Sequence, residues 1–296
     1  KGNAINYSGY RDGQSPLLEI YPTEQEIYED LKLLEGEYRN LRIYDCSLHA
    51  YRVLKVIEDN NLDFKVMLGL SMYAEENHIN HPYYYHYSDE EINNHRVLNE
   101  KRVNEIIDLS IKYAEIVNAI SIGNEVRSPW NNNRVPVSRL MEIAKVIQMR
   151  TKKPVTFCEE FHKWTLELKE LGDILDFISI HTYPAWQGSN IENALEIAVR
   201  NFNEVKESFP EKVIAITETG WPTSSHGSVI AIENANLENQ SRYNDEITNW
   251  SIKNNVPVYL FEAFDENWKG ENNPNEPEKN WGIYNSKRKL KAKKTF

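Results

Sequence analysis

The sequence has no run of about 18 apolar residues, the length a helix needs to cross a bilayer, so nothing in it reads as a membrane-spanning segment. Cysteine is scarce: Cys46 and Cys158 are the two in 296 residues, too few for a disulfide framework. Each follows a predicted strand, so a pair of buried free thiols is the expected state, with one disulfide as the alternative, and they leave the compartment open. Positive charge is in deficit, 34 basic against 45 acidic residues for a net charge of -11, which argues against nucleic acid or an anionic membrane as partner. A neutral polymer remains allowed. Glycine-rich phosphate loops are missing, since Gly9 and Gly13 around Tyr10-Arg-Asp12 fit no Walker or dinucleotide pattern. There is no serine-centred nucleophile elbow. His78, His81 and His86 share one loop, but their spacing is irregular and no cysteine or acid completes a set, so no metal and no cofactor are expected. The chain starts at Lys1 without an initiator methionine or a leader, as a mature or trimmed form would.

What is present is a regular alternation of strand and helix. Predicted strands cover Ala4–Tyr10, Leu41–Asp45, Lys65–Leu70, Ala119–Glu125, Pro154–Glu159, Phe177–Tyr183, Val213–Glu218 and Val256–Phe264. Helical patterns cover Glu24–Leu34, Ala50–Asp59, Val97–Val117, Pro136–Arg150, Lys163–Leu171, Ile191–Ser208 and Asn234–Lys253. Thr23-Glu-Gln-Glu26 is a capping box, Pro136 suits a first helical turn, and Ser208-Phe-Pro210 stops a helix before the next strand. Largely apolar strands separated by helices imply parallel strands covered on both faces. The expected fold is α/β: a single-domain (β/α)8 TIM barrel with interiors of Val, Ile and Leu. An open doubly wound sheet is the runner-up. Residues 282–296, containing Lys287-Arg-Lys-Leu-Lys-Ala-Lys-Lys294, read as a solvated basic tail appended to the barrel.

In a closed barrel the site lies at the carboxyl ends of the strands. That gathers Tyr10, Asp45, Glu125, Glu159, Tyr183, Glu218 and Phe264 around one mouth. Two strands end in glutamate, Ala119-Ile-Ser-Ile-Gly-Asn-Glu125 and Val213-Ile-Ala-Ile-Thr-Glu218. Glycoside hydrolysis needs two carboxyls flanking the scissile bond, one to protonate the leaving oxygen and one to attack or to activate water. Each glutamate alone is equally well a salt-bridged strand terminus. Both in one barrel favour catalysis. Asn124 is suited to a hydrogen bond with a sugar 2-hydroxyl. Trp130, Trp186, Trp221, Trp268 and Trp281 follow strands, where flat rings can stack on pyranose faces, and two or three of them are expected to touch sugar. Trp164 and Trp250 lie in helices and are expected in the core. Tyr44 and Tyr183 offer hydroxyls near the reacting ring, with a satisfied buried tyrosine as the plainer reading of each. Glu266 and Lys269 supply further charged hydrogen-bonding groups. Two long loops, Ala74 to Leu98 with its Tyr83-Tyr-Tyr85 and Tyr87 cluster, and Asn267 to Asn280, lie on the same face. The tyrosine cluster reads either as a rim for an extended ligand or as loop packing.

These pieces resemble glycoside hydrolase family 17, the retaining β-1,3-glucanases, in its microbial branch. The matching segments run in family order: Gly9-Tyr-Arg-Asp-Gly-Gln-Ser-Pro16, Leu41-Arg-Ile-Tyr44, Ser121-Ile-Gly-Asn-Glu-Val126, Asn133-Arg-Val-Pro136, Ile180-His-Thr-Tyr-Pro184, Ile216-Thr-Glu-Thr-Gly-Trp-Pro222, Phe261-Glu-Ala-Phe-Asp-Glu266 and Glu276-Pro-Glu-Lys-Asn-Trp-Gly282. The resemblance implies a (β/α)8 barrel with Glu125 as general acid/base and Glu218 as nucleophile. It also implies that Glu266, Lys269 and Glu278 support the site. Ser71-Met-Tyr-Ala-Glu75 departs from the pattern, where microbial members often carry a tryptophan, so subsite number stays open.

The expected function is therefore hydrolysis of β-1,3-glucosidic bonds in laminarin-type glucan by double displacement, endo-acting. The substrate-contacting set is Asn124, Tyr44, Tyr183, Trp186, Trp221, Glu266, Lys269, Glu278 and Trp281. A β-1,3-glucan transglycosylase and a non-catalytic glucan-binding barrel are the alternatives. The partner is a β-1,3-glucan, the chain is expected to act as a monomer, and a substrate too large to import implies a secreted, periplasmic or cell-surface location.

Overall fold

The computed structural model describes residues 3–78 and 85–292. Eight parallel strands close into a barrel in sequence order: β1 (Asn3–Asn6), β2 (Tyr38–Ile43), β3 (Lys65–Gly69), β4 (Val117–Asn124), β5 (Val155–Glu160), β6 (Ile178–His181), β7 (Ile214–Thr219) and β8 (Val258–Leu260). β8 pairs with β1 through Ala4 opposite Tyr259, which completes the ring and excludes the open sheet. The helices are α1 (Glu24–Leu34), α2 (Leu48–Asp59), α3 (Asp89–Lys112), α4 (Val137–Thr151), α5 (Phe161–Leu166), α6 (Lys169–Ile174), α7 (Ile191–Ser208) and α8 (Leu237–Asn254). Among the described residues no helix is long and apolar enough to cross a membrane.

Local chemistry explains the boundaries. Thr23 accepts from the Glu26 backbone N–H, and the Glu26 carboxylate accepts from the Thr23 backbone, so the expected capping box starts α1. A second box, Ser88 with Glu91, starts α3 eight residues before the expected Val97. The segment it adds is polar, so apolar periodicity did not reveal it. The final strand is shorter than expected. After Leu260 the chain leaves the barrel ladder: Ala263 N donates to Asn6 O, while Ile283 N and Tyr284 N donate back to Glu262 O and Ala263 O. This pairing also corrects the tail. Arg288 is clamped to Asp30 at 2.8 and 2.9 Å, and Lys291 reaches Asp265 at 2.8 Å, so the basic end is docked on the barrel as far as residue 292 rather than solvated.

Branched aliphatic residues of the strands, such as Ile5, Leu41, Ile43, Ile120, Ile180 and Ile216, pack in one cluster with the helices. A smaller cluster holds Ala4, Met67, Ala119, Cys158 and Tyr259. Residues alternating with the aliphatic ones are polar and buried, among them Asn6, Arg42, Ser121, Thr156, Ser179 and Thr217. The expectation of a Val, Ile and Leu interior is thus wrong. Those residues face the helices, and the barrel axis carries small and polar side chains tied by cross-barrel bonds such as Asn6 Nδ2 to Thr217 O at 3.0 Å. Both cysteines are free and buried.

Candidate active site

At the carboxyl ends of the strands lies a cavity of about 840 Å³, lined by residues of every strand end but one, including Tyr44, Asn124, Glu125, Glu160, His181, Tyr183, Glu218, Glu266, Lys269 and Glu278. A larger one, about 1290 Å³, opens at the amino ends of the strands around Ala4, Met67, Ala119 and Tyr259, away from both glutamates.

The ladder is irregular just where the site residues emerge. Register shifts fall between Ser121 and Asn124 on β4, Ile180 and His181 on β6, and Ile216 and Thr219 on β7. Such irregularities turn side chains away from simple alternation. Glu125 itself has φ 53°, a left-handed conformation that costs a non-glycine residue roughly 1–3 kcal/mol. It is held there by its own N–H to Cys158 O at 2.9 Å and by Ser128 N to its carbonyl at 3.0 Å. Gly220, just past Glu218, admits no side chain, because an added Cβ would lie 2.1 Å from Phe261 O.

Glu218 is almost fully buried and each of its oxygens is addressed. Oε1 accepts from Arg42 Nη1 at 2.6 Å and Tyr44 OH at 2.8 Å, and Oε2 accepts from Tyr183 OH at 2.7 Å. Burial alone would raise its pKa, but the charges of His181 and Arg42 and the bonds from Tyr183 and Arg42 outweigh burial and leave it lowered to about 2. Glu125 is more open. Its Oε1 lies 2.7 Å from His181 Nδ1, and its Oε2 accepts from the half-exposed Trp130 indole N–H at 3.0 Å. Donor atoms of Glu125, His181 and Glu218 all lie within 4.8 Å of one another, so the two carboxyls approach closely across the mouth. A separation of about 5–5.5 Å is the retaining arrangement, and about 6.5–9.5 Å the inverting one.

The other expected residues divide. Asn124 is gripped through Oδ1 by Arg42 Nη2. Lys269 pairs with Glu262 at 2.7 Å and Glu266 at 2.9 Å, and Glu266 also accepts from Ser8 Oγ at 2.9 Å. Glu278 lines the cavity; burial first, then the negative charges of Glu125 and Glu218, raise its pKa to about 7 against the opposing pull of Lys269. Trp130, Trp186, Trp268 and Trp281 line the cavity, Trp281 edge-on to Tyr183 with ring centroids 5.2 Å apart. Trp221 does not. It is wholly buried against Tyr243 and donates to Asn234 O at 2.7 Å, so its place among the sugar-contacting residues is corrected to a brace for the loop after β7. Glu159 sits beneath the mouth, accepting from Ser128 Oγ and Arg127 N. Phe264 packs under Tyr284. Trp164 is core, as expected, and Trp250 packs against it from the partly buried rim. Of the loop cluster, His81, Tyr83 and Tyr84 lie outside the described residues, while Tyr85 and Tyr87 meet edge to face at 4.9 Å.

Two central residues were quoted in the sequence motifs without a role. Arg42, in Leu41-Arg-Ile-Tyr44, is a buried cation paired with Glu218. His181, in Ile180-His-Thr-Tyr-Pro184, is buried between the glutamates. A charged residue inside an apolar strand was the available signal, because an unpaired buried charge is too costly to keep.

A parallel barrel with two close, differently housed carboxyls at its mouth is an arrangement suited to glycoside chemistry. The comparisons with known proteins agree. The family model of the BtgE/BtgC glycoside hydrolase domain matches residues 4–282, and this chain belongs to that family. It is 25% identical to a probable glucan endo-1,3-beta-glucosidase btgC of Aspergillus clavatus, over 94% of this chain and 40% of the other. A glucan 1,3-beta-glucosidase of Arthroderma benhamiae is 26% identical over 60% of this chain and 61% of its own length. The chain thus spans about two-fifths to three-fifths of the length of these curated relatives. Among solved structures, an endo-laminarinase from Formosa Hel1_33_131 superposes with a TM-score of 0.83 at 24% identity, covering 96% of this chain and 83% of that one. A glycoside hydrolase family 17 beta-1,3-glucanosyltransferase from Rhizomucor miehei follows at 0.74 and 20%, covering 98% and 95%. At these identities the likeness is one of fold.

Proposed function

We propose that this chain is a retaining β-1,3-glucan hydrolase of glycoside hydrolase family 17. The observation that carries the reading is the pair itself: an anion locked at Glu218 and a more open acid at Glu125, with oxygens within 4.8 Å. Glu125 protonates the leaving glycosidic oxygen while Glu218 bonds to the anomeric carbon. Glu125 then takes a proton from water as the water oxygen replaces Glu218, and configuration is retained. No cofactor is needed for this chemistry. Trp130, Trp186 and Trp268 supply stacking faces, and Asn124, Glu266, Lys269 and Glu278 supply polar contacts to the sugar. Endo attack on laminarin-type glucan is supported by the likeness to the probable glucan endo-1,3-beta-glucosidase of Aspergillus clavatus, which aligns over nearly the whole chain. A polymer substrate, and a cell surface mannoprotein of Candida albicans among the relatives at 28% identity, support a secreted or surface location. The same residues serve transfer to a second glucan, and the Rhizomucor structure keeps that reading alive.

The test is product analysis on linear β-1,3-glucan, branched laminarin and mixed-linkage glucan, beside Glu218→Gln. Hydrolysis should release β-anomers first, followed by proton NMR, and the variant should be inactive. Products longer than the input oligosaccharide indicate transfer. Inverted anomers refute the mechanism. Binding without reducing-sugar release leaves only a glucan-binding barrel.

A further inference from the structure

The double displacement moves a negative charge. Before the first step it sits on Glu218. When the C1–O bond to the leaving group breaks, that oxygen takes the Glu125 proton and Glu218 becomes a neutral ester, so the charge is now on Glu125. When water attacks, its proton goes to Glu125, the Glu218 ester bond breaks and the charge returns. The sum over both carboxyls is constant, which is the condition under which one stationary cation between them serves both steps.

His181 occupies that position. Its Nδ1 is 2.7 Å from Glu125 Oε1 and 3.4 Å from Glu218 Oε2, and its side chain is 0% exposed. With its side chain buried and its Nδ1 turned to the two carboxylates, it acts through the two glutamates. A neutral ring with a lone pair at Nδ1 would face two oxygens at these distances, so the nitrogen carries a hydrogen toward them. The groups around it come from four strands: Glu125 at the end of β4, Cys158 and Glu160 on β5, Glu218 on β7 and, beyond Glu218, Arg42 on β2. Cys158 lies near the ring and accepts from Ser121 Oγ at 3.2 Å, while His181 Nε2 is buried without a hydrogen-bond partner among the described residues. Burial would favour the neutral imidazole, yet the Glu218 charge, with the bond to Glu125 and its charge, overcomes it and raises the ring to about 10.

We propose that His181 is a permanent imidazolium that acts as the common counterion of Glu125 and Glu218, a positioning residue that holds both transition states in one electrostatic frame. The assignment rests on the double-displacement reading above. It also fixes where the acid carries its proton. Oε1 of Glu125 is occupied by the His181 N–H, so the transferable proton belongs on Oε2, the oxygen beside Trp130 on the cavity side.

His181→Asn is the discriminating variant, because the Asn amide can keep a donor near the Nδ1 position without the charge. Loss of the cation makes Glu218 a weaker acid, so the acid limb of the pH–kcat/KM bell should move to higher pH. kcat should fall about ten- to a hundredfold with KM nearly unchanged, the effect of removing a charge that both transition states use while a donor stays in place. A bell that stays in place with kcat intact overturns the proposal, as does a change confined to KM. A measurement on the unaltered chain stands apart from folding of the variant and from activity: 15N-histidine NMR, in which one of the eight histidines must remain doubly protonated at pH 8. If all eight titrate by pH 7.5, His181 is no imidazolium and the proposal is wrong. If that signature is present but no glucan is cleaved, the glucanase reading fails while the charge assignment stands.

Discussion

Removing one hydroxyl should move one limb of the pH profile and not the other. Tyr183→Phe deletes the 2.7 Å donor to Glu218 Oε2 and leaves Oε1 with Arg42 and Tyr44. A hydrogen bond to a charged group contributes about 1.5–3 kcal/mol, and one pKa unit corresponds to about 1.4 kcal/mol. Glu218 should therefore climb from about 2 by roughly one to two units, to about 3–4. In the unaltered chain its titration lies near the edge of measurable activity; in the variant it should enter the range of a laminarin initial-rate assay. The alkaline limb should not move, since the deleted hydroxyl bonds only Glu218. Stability gives an independent sign. Glu218 is depressed in the folded state, so its contribution is present above the ordinary value of 4.5 and is lost as pH falls toward 2. In urea titrations the variant should be about 1.5–3 kcal/mol less stable at pH 7 and converge on the unaltered chain as Glu218 protonates. An acid limb that stays in place, or one that shifts together with the alkaline limb, refutes the argument that Tyr183 acts through the charge of Glu218.

Three other outcomes are expected. Arg42→Met leaves a buried carboxylate without its nearest cation and should cost roughly 3–5 kcal/mol at pH 7, less in acid, by urea denaturation. Gly220→Ala drives a Cβ to 2.1 Å from a backbone oxygen, and the shift it forces should lower stability by about 1–3 kcal/mol or more, read as a drop in thermal midpoint. Cys46 and Cys158 should react with a thiol reagent only as the chain unfolds, since both are buried; fast labelling of either in the native protein would contradict the packing around them.

Much of this architecture could be read from the chain. Helices α1 and α7 begin and end where apolar periodicity and caps place them. Glu125 and Glu218 stood out because an acid terminating an apolar strand points to a barrel mouth, and that depends only on local pattern plus one rule of topology. Trp221 misled for the same reason. It too follows a strand, but which way its ring turns depends on Tyr243 and Asn234, residues 22 and 13 positions away that the sequence does not mark as neighbours. The basic end misled because Arg288 finds its partner at Asp30, 258 residues earlier.

The order of elements and the two acids at strand ends were thus legible in the amino-acid sequence, since periodicity, capping and strand termini are properties of neighbours along the chain, whereas closure needed the pairing of β8 with β1. What decided the chemistry was left to the tertiary fold. Arg42, His181, Tyr44 and Tyr183 come from β2, β6 and the loops beside them, and only ring closure brings them onto two carboxyls from β4 and β7. The acidity of Glu218 depends on charges a few ångströms away in space, and distance in space is what a linear sequence does not encode.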